Sequence, residues 1–265
     1  MEKATLVRYV KGLGDIYSIE KPFDEQLNIL NKIGIKYPIS VRDTAYLRLK
    51  GKYHLGTRTC HAPIYTKNSP TIIARVSPLV EDLEMAKKAV QAHKNNEYFI
   101  FDKDVYGKWE KIAQTDKTKR PENRRAIFLS ERNDYKIHKD SDEARFLFQD
   151  TRKDYFNEFV SGGSIQSWQI DSKKVDSHDG TIINYLWFYS LVVVSVLDFG
   201  DWSLGYDGRA LGVLMKASEA GSRKNLSYRQ RELDRIKKII NGIKEGKLGT
   251  SKLEKVAEFL EKLKE

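Results

Sequence analysis

Four side chains in the middle of the chain could together hydrolyse a phosphodiester bond. Asp154 lies in a segment of helical periodicity, and Asp171-Ser172-Lys173 follows at the end of a segment that alternates like a strand. Carboxylates bind Mg²⁺, and a lysine can steady the attacking water or the charge that develops on the phosphate. Glu143 is a further acid upstream on the same helical segment. These residues predict a catalytic site in which Asp154 and Asp171 hold the metal.

The order of these residues resembles the active-site pattern of the PD-(D/E)xK nucleases, in which one acid is followed by an acid-x-Lys triplet. The resemblance rests on Asp154 and on Asp171-Ser172-Lys173, so it covers a short part of the chain. It implies a nuclease that depends on Mg²⁺. The rest of the sequence indicates no other cofactor.

The charge balance points to a polyanionic partner. The chain carries 47 Lys and Arg against 37 Asp and Glu, which gives a net charge of +10 at pH 7. An excess of this kind on a globular surface favours nucleic acid or an anionic membrane surface. The first hypothesis is therefore a nucleic-acid-binding protein, with DNA as the preferred partner. The alternatives are the metal-dependent nuclease and a structural protein that assembles through its C-terminal helices.

The residues that would contact phosphate groups lie in two loops and at the start of the first C-terminal helix. Tyr65, Trp168 and Tyr228 are aromatic neighbours on which bases could stack. The same basic residues could equally form solvated surface loops. The predicted nucleic-acid-binding residues are Arg58, Lys67, Lys119, Arg120, Arg124, Arg125, Arg223, Lys224, Arg229 and Arg231.

A single cysteine limits both the location and the chemistry of the protein. Cys60 has no second cysteine with which to form a disulfide, and the first residues lack the apolar core of a signal peptide, so we expect the cytoplasm. His54, Cys60 and His61 do not have the spacing of a closed zinc site. Cys60 and His61 are adjacent and would point to opposite faces of an extended chain, which argues against a nucleophile and its base.

The uncharged stretch from 180 to 197 must lie at the centre of the fold. It could be one bent strand, two strands joined at Tyr189-Ser190, a buried helix or a membrane span. Most of its residues are β-branched or aromatic, which favours strands buried on both faces. Asp179 and Asp198 bracket it, and no Lys or Arg lies at either end, so a soluble core is favoured over a membrane span.

Strands and helices alternate along the rest of the chain. The pattern predicts an α/β or α+β fold with a mixed, largely antiparallel sheet and flanking helices. A turn at 177–180 would join the strand at 165–172 to the apolar stretch as a hairpin. The predicted strands are 5–10, 45–49, 71–76, 97–101, 126–129 and 165–172, and the predicted helices are 22–34, 77–96, 105–112, 141–159 and 209–217.

Two further helices are predicted at the C-terminus. Ser227 with Gln230, and Ser251 with Glu254, have the spacing of capping boxes, and each is followed by one apolar stripe. We expect an antiparallel helical hairpin over 223–265, next to a core domain over 1–222. Its apolar stripes need a partner, which could be the core domain or a second copy of the chain in a homodimer.

Overall fold

The computed structural model describes residues 4–11, 13–51, 53–189, 196–200 and 208–214. Strands and helices alternate along these residues, as the sequence pattern predicts. The strands are β1 (Thr5–Val10), β2 (Gly14–Lys21), β3 (Thr57–Arg58), β4 (Ala62–Thr66), β5 (Ile72–Ala74), β6 (Ile100–Phe101), β7 (Ala126–Phe128), β8 (Tyr135–His138), β9 (Ser164–Trp168), β10 (Thr181–Ile183), β11 (Trp187–Phe188), β12 (Val196–Asp198) and β13 (Gly208–Leu214). The helices are α1 (Phe23–Lys32), α2 (Val41–Leu49), α3 (Pro78–Glu81), α4 (Leu83–Lys94), α5 (Lys103–Asp116), α6 (Asp142–Phe148), α7 (Arg152–Phe159) and α8 (Ser172–Asp176).

The strands form two sheets. The larger sheet has the order β1-β2-β13-β3-β11-β12-β9-β8, and the smaller has the order β6-β10-β4-β5-β7. In the larger sheet β12 runs parallel to β9, and β13 runs parallel to β3. Every other strand pair is antiparallel. The predicted α+β class, with a mixed and largely antiparallel arrangement, is confirmed, although two sheets form where one was expected.

The apolar stretch links the two sheets. Its first part, β10, pairs with β4 and β6 in the smaller sheet, and β11 and β12 then pair with each other in the larger sheet. Ile182, Phe188 and Leu197 are buried in one hydrophobic cluster. The described part of the stretch is therefore extended and central, as its β-branched composition predicts. It is divided among three strands.

The main core is built from aromatic rings. Phe148 contacts Tyr155, Phe156 and Phe188, with ring centroids 5.1, 5.2 and 5.7 Å away. The fully buried Arg48 guanidinium lies 3.9 Å from the Phe188 ring centroid and donates to the Tyr155 hydroxyl. These contacts fix the inner face of β11, so the residues that alternate with Phe188 must point to the other face.

The strand predicted at 45–49 is wrong, because these residues are the second half of helix α2. Ser40 caps the helix, since its hydroxyl accepts a hydrogen bond from the backbone N–H of Asp43 at 3.0 Å. Ala45 and Leu47 are both buried against neighbouring elements. The alternating pattern of five residues was too short to distinguish a strand from a helix buried on more than one side.

Two other predicted elements are corrected. The segment predicted as a helix from 209 onward forms strand β13, which pairs with β2 over seven residues. Gly212 allows this packing, because a Cβ there would lie 2.3 Å from Leu30 Cδ2. The hairpin predicted at 177–180 does not form, because helix α8 follows β9 and the chain then enters the other sheet.

The predicted C-terminal hairpin and the domain boundary after residue 222 lie outside the described residues. So do 190–195, in the middle of the apolar stretch. Among the helices that the structure describes, none has the length and hydropathy needed to cross a membrane.

Candidate ligand-binding site

Two tryptophans flank an aspartate on the face of the larger sheet that is opposite to Phe188 and Leu197, and Trp187 also packs against a second hydrophobic cluster. Trp187 on β11 lies directly opposite Asp198 on β12, and Asp198 lies opposite Trp168 on β9. Residues opposite one another on neighbouring strands share a face of the sheet, so the short Asp198 side chain stands between two indoles. Phe188 and Leu197, the next residues on these strands, point into the core and are fully buried.

Tyr189 completes the aromatic cluster. It follows Trp187 on the same face, and its ring centroid lies 5.3 Å from Trp168 and 6.4 Å from Trp187, edge-to-face in both pairs. All three aromatic side chains are half-buried. We call Trp168, Trp187, Tyr189 and Asp198 together the aromatic face.

The Asp198 carboxylate is buried and incompletely hydrogen-bonded. The residue is 3% exposed, and its Oδ1 accepts a hydrogen bond of 2.7 Å from the backbone N–H of Gly200. Its Oδ2 is buried and accepts no hydrogen bond from the residues that the structure describes. Burial raises the pKa of this carboxyl to about 6, the Gly200 N–H partly offsets that rise, and the nearby charge of Asp134 adds to it. A buried acceptor without a donor is costly, so this position is unusual in a folded protein.

Hydrogen bonds next to Trp168 and Asp198 hold β9 and β12 in place. The backbone N–H of Phe199 donates to the Trp168 carbonyl at 2.7 Å, and the Tyr65 hydroxyl donates to the Phe199 carbonyl at 2.8 Å. Next to Trp168, the Gln169 N–H donates to Asp134 Oδ1 at 2.6 Å. The positions of Trp168 and Asp198 are thus set by the surrounding loops.

Residues on and next to β3 hold the Trp187 side chain in place. A Cβ at Gly56 would lie 2.9 Å from Trp187 Nε1, so only glycine lets the indole approach this backbone. The Arg58 guanidinium lies 5.9 Å from the Trp187 ring centroid and 4.8 Å from that of Tyr185, and its Nη1 donates to the Lys21 carbonyl. Arg58 is 1% exposed and lies on the opposite side of Trp187 from Asp198.

No protein-family model and no curated protein sequence matches the chain. A solved structure does. It is described as "Accommodation of massive sequence variation in Nanoarchaeota by the C-type lectin fold", and it is similar to this chain with a TM-score of 0.53 over 78% of this chain and 100% of that chain. At 11% identity, the likeness is one of fold.

The predicted functions of nucleic-acid binding and nuclease activity are wrong. A chain with the C-type lectin fold does not have the framework that the PD-(D/E)xK resemblance implied. Among the described residues, no group of three His, Cys, Asp or Glu side chains could hold a metal ion.

The four predicted catalytic residues have other surroundings. Glu143 is 4% exposed, and its Oε1 accepts hydrogen bonds from the Ser130 backbone N–H and hydroxyl and from the Tyr135 hydroxyl. Asp171 caps the short helix α8 by accepting from the Lys173 N–H at 2.9 Å. Asp154 and Lys173 are exposed side chains on different helices. Glu143 and Asp171 thus complete local structure, and the short acid-x-Lys match reflects a helix cap.

The predicted basic loop is largely neutralised within the chain. Lys119 Nζ lies 2.7 Å from Asp116 Oδ1, and the Arg125 side chain donates twice to Asp116 at 3.0 Å. Arg124 pairs with Asp142 at 2.9 Å. Arg58 is buried at the sheet, whereas Lys67 and Arg120 are exposed. The remaining predicted contacts, Arg223, Lys224, Arg229 and Arg231, lie outside the described residues.

The loop with the cysteine and histidines does not form a reactive site. Cys60 is buried, and burial raises the pKa of its thiol to about 12. His61 is 1% exposed, and burial lowers its pKa to about 3. A thiol that stays protonated and an imidazole without solvent access cannot act as nucleophile and base near neutral pH.

Sequence reasoning found only part of the aromatic face. The sequence predicts Trp168 as an aromatic on which a base could stack, but it places Trp187 and Tyr189 only within the apolar core stretch. It indicates Asp198 only as the polar end of that stretch. The available signal was the alternation Trp187-Phe188-Tyr189, which on a strand places the outer two residues on one face.

Proposed function

We propose that the protein is a ligand-binding protein whose recognition surface is the aromatic face. The observation that carries the proposal is the Asp198 Oδ2, a buried acceptor that lies between half-buried aromatic side chains and receives no hydrogen bond from the described residues. A bound group that brings a hydrogen-bond donor or a positive charge next to this oxygen would offset the cost of its burial.

The aromatic composition of the face supports the proposal. Trp and Tyr supply large, rigid contact areas and lose little conformational entropy on binding, and they are enriched among the residues that dominate binding energy. Trp168, Trp187 and Tyr189 retain exposed surface although they contact one another. A ligand could therefore bury further aromatic surface without a rearrangement of the sheet.

The fold likeness is consistent with a recognition role. The similar structure is described as a C-type lectin fold that accommodates massive sequence variation. We infer that in this chain, too, a framework fixed by one face of the sheet allows the other face to be shaped for a ligand. Phe188 and Leu197 belong to the first face, whereas Trp187 and Asp198 alternate with them on the second.

A binding role is also preferred over catalysis by the state of the reactive groups. The Cys60 thiol and the His61 imidazole are both buried and held in their neutral forms near pH 7. In the part of the chain that the structure describes, acidic residues do not gather into a metal site.

The test is a screen of the labelled full-length chain on glycan and peptide arrays, followed by one matched pair of variants. Tyr189 and Tyr98 are both half-buried tyrosines that make two edge-to-face ring contacts. Tyr189→Ala should abolish binding to the array ligands, and Tyr98→Ala should leave it intact. Absence of any wild-type binding, or equal losses in both variants, would reject the proposal.

Two expectations about the protein's surroundings remain proposals. Location in the cytoplasm is supported by the single, buried Cys60 and is tested by cell fractionation. Homodimer formation through 223–265 is supported only by the apolar stripes in the sequence. Light scattering of the full chain at two concentrations would give a monomer mass at both if this proposal is wrong.

A further inference from the structure

We propose that the aromatic face binds its ligand through an alkylated ammonium group, which lies among the three rings and pairs with Asp198. This inference depends on the proposed function, because it names the ligand class for the same face.

The first argument is the unpaired carboxylate oxygen. When ionised, a carboxylate only accepts hydrogen bonds, and among the described residues Asp198 receives one, from the Gly200 N–H. The charge of Asp134, which has the same sign, adds to the raised pKa of Asp198. The Arg58 guanidinium lies beyond Trp187 and donates to the Lys21 carbonyl. A positively charged group would balance this carboxylate, whereas a neutral ligand would leave its charge buried and uncompensated.

The second argument is the nature and spacing of the rings. Trp168 and Trp187 stand on strands on either side of β12, so their Cα atoms are roughly 9.5 Å apart, twice the usual strand spacing. A methyl-sized group between the two indoles could contact each at about 3.5–4 Å. Ring faces attract organic cations, with Trp the strongest, and aromatic cages of this type recognise quaternary ammonium groups.

Tyr189 would act as the movable wall of the site. Its ring contacts both indoles, so it spans the space between them. Burial raises the pKa of Tyr189, and the charge of Asp198 adds to the rise, so the hydroxyl lies within the field of the carboxylate. Tyr189 keeps part of its surface exposed, so we expect its ring to turn aside and then close over a bound group.

A hard metal ion fits these surroundings poorly. Ca²⁺ requires about six to eight oxygen ligands, and aromatic rings supply none. Asp198 shares its face of the sheet with Trp168 and Trp187, and the described residues form no cluster of three potential ligands. Indole walls around a single carboxylate match an ammonium group instead.

The experiment compares a cation with its neutral isostere on the full-length chain. Choline and 3,3-dimethyl-1-butanol have the same shape, but only choline carries a charge. We expect choline to change the tryptophan fluorescence saturably at pH 7.5, with an affinity at least tenfold above that of the alcohol. The Asp198→Asn variant keeps the side-chain shape and should lose this preference, while Tyr98→Ala should keep it. Thermal melting of each variant checks that it is folded.

Three results would overturn the inference. They are the lack of a saturable effect of choline, binding of the alcohol as tight as that of choline, and binding of choline by Asp198→Asn like that by the wild type. Ca²⁺ is added alone as a further arm, and a saturable response to it without one to choline counts against the inference as well. If array ligands still require Tyr189 but are indifferent to Asp198→Asn, the ammonium site fails while the proposed binding face stands.

Discussion

Asp116 and Asp198 are both buried aspartates, 0% and 3% exposed. Their surroundings shift the pKa of the two carboxyls in opposite directions. Asp116 accepts from the Arg125 side chain, the Lys119 ammonium and the Arg125 backbone N–H. Its pKa is held well below the usual range, first by the hydrogen bond from Arg125. Asp198 has one backbone donor, and burial raises its pKa to about 6.

This difference separates a carboxylate that is paired within the chain from one to which the proposed function gives a ligand. The charge of Asp116 is balanced within the chain, so the group stabilises the turn between α5 and β7. Under the proposed function, a ligand balances the charge of Asp198. Perturbed carboxyls without an internal partner are candidates for binding sites, whereas perturbed carboxyls inside an ion-pair network are not.

The largest expected effect is on stability and concerns Asp116, which is paired within the chain. Asp116→Ala removes every acceptor of this cluster and leaves the Arg125 backbone N–H without its partner, so we expect a loss of about 2–3 kcal/mol in the free energy of unfolding. Urea denaturation measures it. The matched control is Asp142→Ala, whose half-exposed carboxylate pairs with Arg124 and should cost less than about 1 kcal/mol. Equal losses would mean that the buried Asp116 stabilises the fold no more than the half-exposed Asp142 does.

The next effect concerns ligand binding at Asp198. With a pKa of about 6, this carboxyl is ionised at pH 7 and is about nine-tenths protonated at pH 5, so choline affinity should fall about tenfold between these values. Asp198→Asn should show no such dependence. His93 does not contribute, because burial lowers its pKa to about 4. A flat wild-type profile over this range would contradict the role of the carboxylate.

The smallest expected effect is on stability. Since the folded-state pKa of Asp198 is above its unfolded value, the folded state binds the proton more tightly, and stability is lost as the pH rises toward and through 6. Relative to Asp198→Asn, the wild type should lose about 1 kcal/mol of unfolding free energy between pH 5 and pH 7.5. Urea melts at both pH values measure this difference. A gain in place of the loss would mean that Asp198 has an internal partner when ionised.

The extended nature of the central stretch could be predicted, but its division could not. The β-branched and aromatic residues around Ile182 and Val196 favour strands wherever the chain places them. Which sheet each strand joins depends on distant partners, such as Tyr65 opposite Ile182 and Gln166 opposite Val196. The residues of one strand do not indicate which distant strand it will pair with.

Short elements show the same limit. The segment around Leu47 alternates like a strand, and Arg209 opens a segment that was predicted to be helical, but tertiary packing reverses both. Gly212 fits beneath Leu30 only as part of a strand between β2 and β3. For segments of this length, the energy of packing exceeds the small differences in intrinsic propensity.

The sequence by itself determined the class of the fold, the apolar centre and the excess of basic residues. These properties depend on composition and on local periodicity, which each segment shows without reference to the residues that it packs against. Tertiary structure alone decided which charges matter. It buried Asp116 among cations and Asp198 between two indoles, and it used Glu143 and Asp171 as local hydrogen-bond acceptors. The pKa and the partners of a carboxyl depend on residues brought close by folding, so the site appears only in three dimensions.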